Sequence, residues 1–258
     1  MNAASVKPGD KIAVWFSCGA ASAVAAKLTV EKYGVDCDVR ILNNPVKEEH
    51  YDNVRFLADV ERWIGHSIDL VINPDYPRFS AEDVWKRRKF MSGPHGAPCT
   101  LELKKKARQL WEKNNPVDWH VLGFTAEEES RHKRFTMTER DNVIPVLIEH
   151  GLNKQDCIDY LLKAGIEPPL MYKLGYPNAN CIGCVKATSP TYWNHVRQVD
   201  PKQFRERAEL SRELGAKLVR VNNQRIFLDE LDPKAKGRPM KSLDFECGTF
   251  CEEWPEDE

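Results

Sequence analysis

The residues of this chain best suited to chemistry are its thiols. Eight cysteines occur in 258 residues, and four of them come as close pairs, Cys181-Ile-Gly-Cys184 and Cys247-Gly-Thr-Phe-Cys251. Thiolates at this spacing hold metals or exchange electrons, and a reducing compartment keeps disulfides open, so metal or redox chemistry is expected rather than a disulfide framework. Cys37 and Cys157 read as core residues. A second candidate lies near the start, where the apolar run Ile12 to Phe16 gives way to Ser17-Cys-Gly-Ala-Ala-Ser22. Every residue of that bend is small. The backbone can therefore turn sharply and leave amide N–H groups pointing past the start of a helix, a place for an anion. No Gly-Lys-Ser/Thr closes the bend, and it is not a Gly-x-Gly-x-x-Gly turn, which excludes the Walker and dinucleotide-binding loops.

Strand and helix must alternate to position these groups, and the pattern predicts an α/β fold with a doubly wound, mostly parallel sheet. Strands are expected at Ile12 to Phe16, Cys37 to Leu42, Asp69 to Asn73 and Trp119 to Gly123, with a further apolar run from Asn142 to Ile148. Helices are expected from Ala20 onward, from Glu48 to Ile64 with Gly65 past its end, and from Cys99 to Trp111. Another begins at Asn153, with Asp156 three residues on as a capping pair, and ends at Gly165; the last runs from Pro201 to Leu214. Pro74 to Pro98 reads as a long loop and Glu167 to Asn180 as irregular, because of their prolines and glycines. Lys217 to Leu228 reads as a strand or hairpin, and the acidic tail after Trp254 as disordered. Residues 1–180 form the expected nucleotide-binding domain, and 181–258 a cysteine-containing region packed on it.

Composition sets the outer limits. A hydrophobic content of 41% fills a core, and a net charge of -1 gives no whole-protein attraction to nucleic acid or membrane. No apolar run approaches the ~20 residues that span a bilayer, and the N-terminus lacks the apolar stretch of a signal peptide, so a cytoplasmic protein is expected.

Several motifs in order carry a resemblance. Ser17-x-Gly-x-x-Ser22 is followed by Gly123-Phe-Thr-Ala-Glu-Glu-Glu-Ser-Arg131, by Pro145 before a capped helix, and by Leu170-Met-Tyr-Lys-Leu-Gly-Tyr-Pro-Asn-Ala-Asn-Cys-Ile-Gly-Cys184. From Lys11 to about Cys184 the chain resembles the phosphoadenosine phosphosulfate and adenylyl-sulfate reductases, within the PP-loop, adenine nucleotide alpha hydrolase-like superfamily. The resemblance implies an adenine-nucleotide site. Ser17, Gly19, Ala20 and Ser22 would hold a phosphate or sulfate group, Gly123 and Glu128 would belong to the same site, and Arg131 with Lys104 would neutralise the anion. Lys104 to Lys106 read equally well as a solvated face. ATP-cleaving PP-loop enzymes often have aspartate where this chain has Ala21, which favours sulfonucleotide chemistry.

The resemblance also implies a [4Fe–4S] cluster, with zinc as the alternative. Cys99, Cys181 and Cys184 match three of the usual four ligands; either Cys247 or Cys251 completes the set, or one iron stays open. Glu246-Cys247-Gly248 is similar to the element that presents the catalytic thiolate in the family's reductases, so Cys247 is the candidate nucleophile and Cys251 the candidate ligand. The reading implies a sulfonucleotide reductase served by a protein thiol reductant. Two others stay open: an ATP-using sulfurtransferase acting on tRNA or another nucleobase, and a non-catalytic nucleotide-binding module. Cys18 reads as filler beneath the loop, His95 as a solvated loop residue, and Tyr192 and Trp193 as a roof over the core.

Overall fold

The structure is a computed structural model that describes residues 5–93 and 96–242. In chain order these form β1 Lys11–Trp15, α1 Ala20–Tyr33, β2 Asp38–Asn43, α2 Asp52–Ile64, β3 Ile68–Leu70 and α3 Ala81–Arg88. A helical run follows: one α turn, α4 Pro98–Thr100, a π-helical segment Leu101–Lys106, then α5 Ala107–Asn114. Next come β4 Trp119–Val121, α6 Glu129–Thr138, β5 Val143–Ile144, α7 Val146–Glu149 and α8 Lys154–Lys163. The short α9 Leu170–Lys173 precedes α10 Pro190–Val199, α11 Pro201–Glu213 and a hairpin of β6 Val219–Val221 with β7 Gln224–Ile226. Among the described residues no helix is long and apolar enough to cross a membrane.

The chain divides into two compact units that interleave along the sequence. The first comprises residues 5–44, Tyr51–Val71 and Arg108–Leu170; the second takes Pro45–His50, Ile72–Ala107 and, of the rest, 171–242. A single cut near residue 180, as the sequence suggests, differs from this division. Two inner segments join the C-terminal unit, and local sequence carries no mark of that exchange.

The first unit is built on a five-stranded, wholly parallel sheet in the order β3-β2-β1-β4-β5, flanked by helices. β1 is central because it is apolar on both faces: Ile12, Ala13, Val14 and Trp15 are all buried, as is Phe16 beyond its end. Its register sets Val14 opposite Ile41 on one side and Val121 on the other. Small residues on α1, among them Ala20, Ala23 and Ala26, are buried, which lets the helix lie close while it packs on α7 and α8. The left-handed Gly65 stops α2, and Asn153 with Asp156 forms the expected capping box on α8. Cys157 is fully buried there, and burial pushes its thiol up to about 12. Cys37, expected in the core, is instead half-buried, its thiol directed at the Lys7 carbonyl at 3.4 Å.

The second unit gathers Trp85, Met91, Leu103, Tyr192, Trp193 and Phe204 into one apolar core. The expected loop from Pro74 to Pro98 contains α3, whose N-terminus is capped twice. Ser80 Oγ accepts from Asp83 N–H at 3.2 Å, and the Glu48 carboxylate accepts from Ser80 Oγ at 2.8 Å and from the N–H groups of Ala81 and Glu82 at 2.8 and 3.1 Å. That use of Glu48 explains why α2 starts at Asp52 rather than near Glu48. The hairpin lies where expected, turned by Asn222 and Asn223 at φ 47 and 63, the left-handed pair that a tight hairpin demands.

One buried charge-sensitive group underlies the first unit's stability. His120 on β4 accepts at Nδ1 from Trp15 Nε1–H at 3.2 Å, and Arg140 Nη1 stands 2.5 Å from its Nε2. Burial, then the charges of Arg140 and Arg108, push its pKa down to about 3. The unfolded chain takes up a proton near the ordinary value of 6.5 while the folded chain refuses it, so His120 contributes stability above that pH and loses it as pH falls toward 3. The expected slope is at most about 1.4 kcal/mol per pH unit through that window. In urea titrations, His120→Gln should flatten the pH dependence relative to wild type; parallel curves for the two proteins would exclude this role.

Candidate functional site

The turn between β1 and α1 is held by one hydroxyl. Ser22 Oγ accepts from Ser17 N–H at 3.1 Å and from Ser17 Oγ at 3.2 Å, and donates to the Gly19 carbonyl at 3.0 Å. Cys18 takes a left-handed conformation at φ 57 and is buried beneath the turn, where Asn43 Nδ2 lies 3.7 Å from its sulfur while donating to the Phe16 carbonyl at 2.8 Å. Its filler role is as expected. Gly19 is the N-cap of α1 and has no side chain to cap with, and no acidic residue occupies the first helical turn. The positive end of the helix is thus left without a carboxylate from its own first turn.

Gly123, two residues past β4, closes this turn from above. A Cβ at Gly123 would stand 2.9 Å from Ser22 N and 3.2 Å from the Ala21 carbonyl carbon, too close for any other residue. β4 is the neighbour of β1, and β2 lies on the opposite side of β1, so the chain's connections diverge between β1 and β4. Open α/β sheets bind ligands at such a switch point, beyond the strands' carboxyl ends. Ser17, Gly19, Ala20, Ser22 and Gly123 all meet there.

The segment after Gly123 adds a paired charge. Glu128 Oε2 accepts from Thr125 N–H and Thr125 Oγ1, both at 3.1 Å, while Oε1 accepts from Arg131 Nη1 at 2.7 Å. Arg131 also lies over the Phe124 ring, 5.5 Å from its centroid. Glu128 thereby fixes both the loop and the arginine expected to meet an anion; the guanidinium's charge is already partly offset.

Lys104 belongs to the second unit and is not part of a solvated face. It is buried, and its ammonium faces Glu49 Oε1 at 3.4 Å. Glu102 is buried beside it and pairs with Arg88 and, at 3.0 Å, with Lys106. The helix is π-wound from Leu101 to Lys106, and Asn73 Nδ2 donates to the Glu102 carbonyl at 2.9 Å. Such windings recur at functional sites because they re-aim side chains.

Of the six described cysteines, the three candidate ligands Cys99, Cys181 and Cys184 also lie in the second unit. Cys184 is buried in its core, and Cys99 and Cys181 pack at the margin. Tyr192 ties the Cys181 to Cys184 turn together: its hydroxyl accepts from Cys184 N–H at 2.8 Å and donates to the Cys181 carbonyl at 3.5 Å. Burial, and next the Cys184 thiol, raise the Tyr192 pKa well above the ordinary phenol value, so it stays a donor. Arg207 is buried on α11, and both Cys181 and Cys99 act on its charge. Among the described residues no three His, Cys, Asp or Glu side chains stand close enough to grip a single metal ion. Cys247, Cys251 and His95 lie outside the described residues. The roles of Tyr192 and Arg207 were not read from the sequence: Tyr192 carries no mark beyond its nearness to the cysteine pair, and Arg207 looks like any charged residue of an amphipathic helix.

Together the sheet order and the turn define a doubly wound α/β protein with a small-residue bend at its switch point. Neither protein-family models nor curated proteins match the chain.

The turn's dependence on two residues is testable by denaturant unfolding. Ser22→Ala removes the shared hydroxyl and is expected to cost about 1–3 kcal/mol. Gly123→Ala forces the backbones apart and is expected to cost about as much, with the Ser17 to Ser22 segment displaced in a crystal structure. A Gly123→Ala protein of unchanged stability and geometry would show that the close approach is not required.

Proposed function

We propose that the chain is an adenine-nucleotide-binding enzyme of the sulfonucleotide-reductase type, with a thiolate-held [4Fe–4S] centre. The observation that carries the reading is the meeting of the Ser17 to Ser22 bend and Gly123 at the sheet's switch point, the two motifs that the resemblance assigns to the nucleotide site. The turn's helix start, with no acidic residue in its first turn, and its hydroxyls suit a sulfate or phosphate group, and Arg131 offers planar donors held in place by Glu128.

The thiolate donors of the second unit are of the kind that holds an iron–sulfur cluster, with zinc as the alternative. Cys99, Cys181 and Cys184 would hold it. When bound, it would supply a thiolate-ligated iron centre.

The reaction itself falls to Cys247. Its thiolate attacks the sulfur of the bound sulfonucleotide; a sulfur–sulfur bond forms, the sulfur–oxygen bond to the nucleotide breaks, and the nucleotide phosphate leaves with that electron pair. A partner protein's thiolate then attacks the Cys247 sulfur and releases sulfite, and the partner's second thiol resolves the mixed disulfide. The sulfonate is reduced by two electrons and the partner dithiol is oxidised.

Anaerobically purified protein is expected to be brown, to contain iron and sulfide, and to release sulfite from adenylyl sulfate or its 3′-phosphorylated form when a dithiol protein is supplied. Cys247→Ser should abolish sulfite release with iron retained. Colourless protein with stoichiometric zinc would overturn the cluster. Pyrophosphate release from ATP in the presence of RNA, with no sulfite formed, would overturn the reductase in favour of an adenylating enzyme.

A further inference from the structure

Arg207 is the most anomalous buried group in the second unit. It is 1% exposed, and its Nε and Nη2 have no hydrogen-bond partner. Its guanidinium carbon stands 4.3 Å from the centroid of the Trp85 ring, which satisfies one face of the cation but none of its N–H groups. Glu48 is the strongest charge acting on it, yet both Glu48 oxygens already accept hydrogen bonds at the start of α3. A cation in this position is costly to bury, and an apolar side chain of similar length would fill the same space without that cost.

The surroundings point to what the guanidinium serves. Gly183, between Cys181 and Cys184, takes φ +68, and a Cβ there would lie 3.7 Å from Arg207 Nε and 3.4 Å from the Trp193 ring. The turn carrying the two cysteines therefore lies directly against the unpartnered edge of the arginine. After Glu48, the Cys181 thiol, the Glu82 carboxylate and the Cys99 thiol act on its charge. The Cys181 to Cys184 turn thus lies against one buried cation, and Cys99 packs at the margin of the same core.

We propose that Arg207 is a positioning residue for the metal–thiolate centre of Cys99, Cys181 and Cys184, offering its unpartnered Nε and Nη2 to thiolate sulfur and offsetting the centre's negative charge. This rests on the cluster reading above. Hydrogen bonds and positive charge at the sulfurs favour the reduced, more negative state of a cluster and so raise its potential.

The test uses full-length protein purified anaerobically, with Arg207→Met and Arg207→Lys. Arg207→Met is expected to lower the cluster's midpoint potential in a titration followed by electron paramagnetic resonance, and to lose iron several-fold faster to a chelator. Arg207→Lys, which keeps the charge, should fall between wild type and Arg207→Met in both. Metal-free Arg207→Met should unfold at a temperature no lower than metal-free wild type, because the arginine serves the centre rather than the core. Unchanged potential and iron retention in Arg207→Met overturn the proposal, and so does failure of both variants to fold, which would make Arg207 a structural residue. Wild-type protein without iron overturns the cluster reading and this role with it; wild-type protein with iron but indifferent to both variants overturns the role of Arg207 alone.

Discussion

The close approach of two backbones governs the first unit. Gly123 can sit against Ala21 and Ser22 only because it lacks a side chain, and that contact sets the start of α1 directly beside the exit of β4. The remainder of the turn follows from it. Ser17, Cys18 and Gly19 must cover the distance from the end of β1 to the start of α1 while Ser22 Oγ takes two donors from Ser17 and returns one to Gly19. Cys18 pays with a left-handed backbone, a cost of order 1 kcal/mol or more, and the bonds around it hold it there.

The second unit solves a different problem. Its interior holds Lys104, Glu102 and Arg207 along with its aromatic core, and ionised groups taken out of water return little net stability even when paired. Lys104 meets Glu49, and Glu102 meets Arg88 and Lys106, so these charges come close to breaking even. Arg207 does not. A fold selected for stability alone has no use for it, and this is why its position beside the cysteine turn carries weight that Lys104, already compensated, does not.

What could be read from the sequence was what is encoded locally. The apolar run of β1, the glycine that stops α2, the Asn153 and Asp156 cap and the Asn222-Asn223 hairpin each depend on neighbours a few residues away, and each falls where the pattern puts it. α3 escaped notice because it is short, flanked by proline and glycine, and capped in part by Glu48 from far upstream. The lysine run left two readings open, an anion partner and a solvated face, because the burial of Lys104 against Glu49 depends on a segment far upstream and on a π winding that local sequence does not display. The division into two units was equally hidden. It depends on which distant segments exchange partners, and no local propensity records that.

The site's remaining freedom is chemical, and the thiols themselves limit it. A sulfur that binds iron has its lone pair engaged and is a poor nucleophile, so Cys247 cannot serve as resident ligand and as attacking thiolate in the same turnover. Cys251, four residues on, relieves that conflict if it takes the ligand's place; an iron left open relieves it differently, by asking the second unit for three thiolates only. A centre with three thiolates carries one negative charge fewer than a centre with four, and correspondingly less compensation is required of the protein around it. The second unit sets one buried guanidinium, with Nε and Nη2 lacking hydrogen-bond partners, against the cysteine turn, while the buried Lys104 is already matched to Glu49. On the proposed reading, that balance suits a centre of low net charge and leaves Cys247 free to act as the nucleophile.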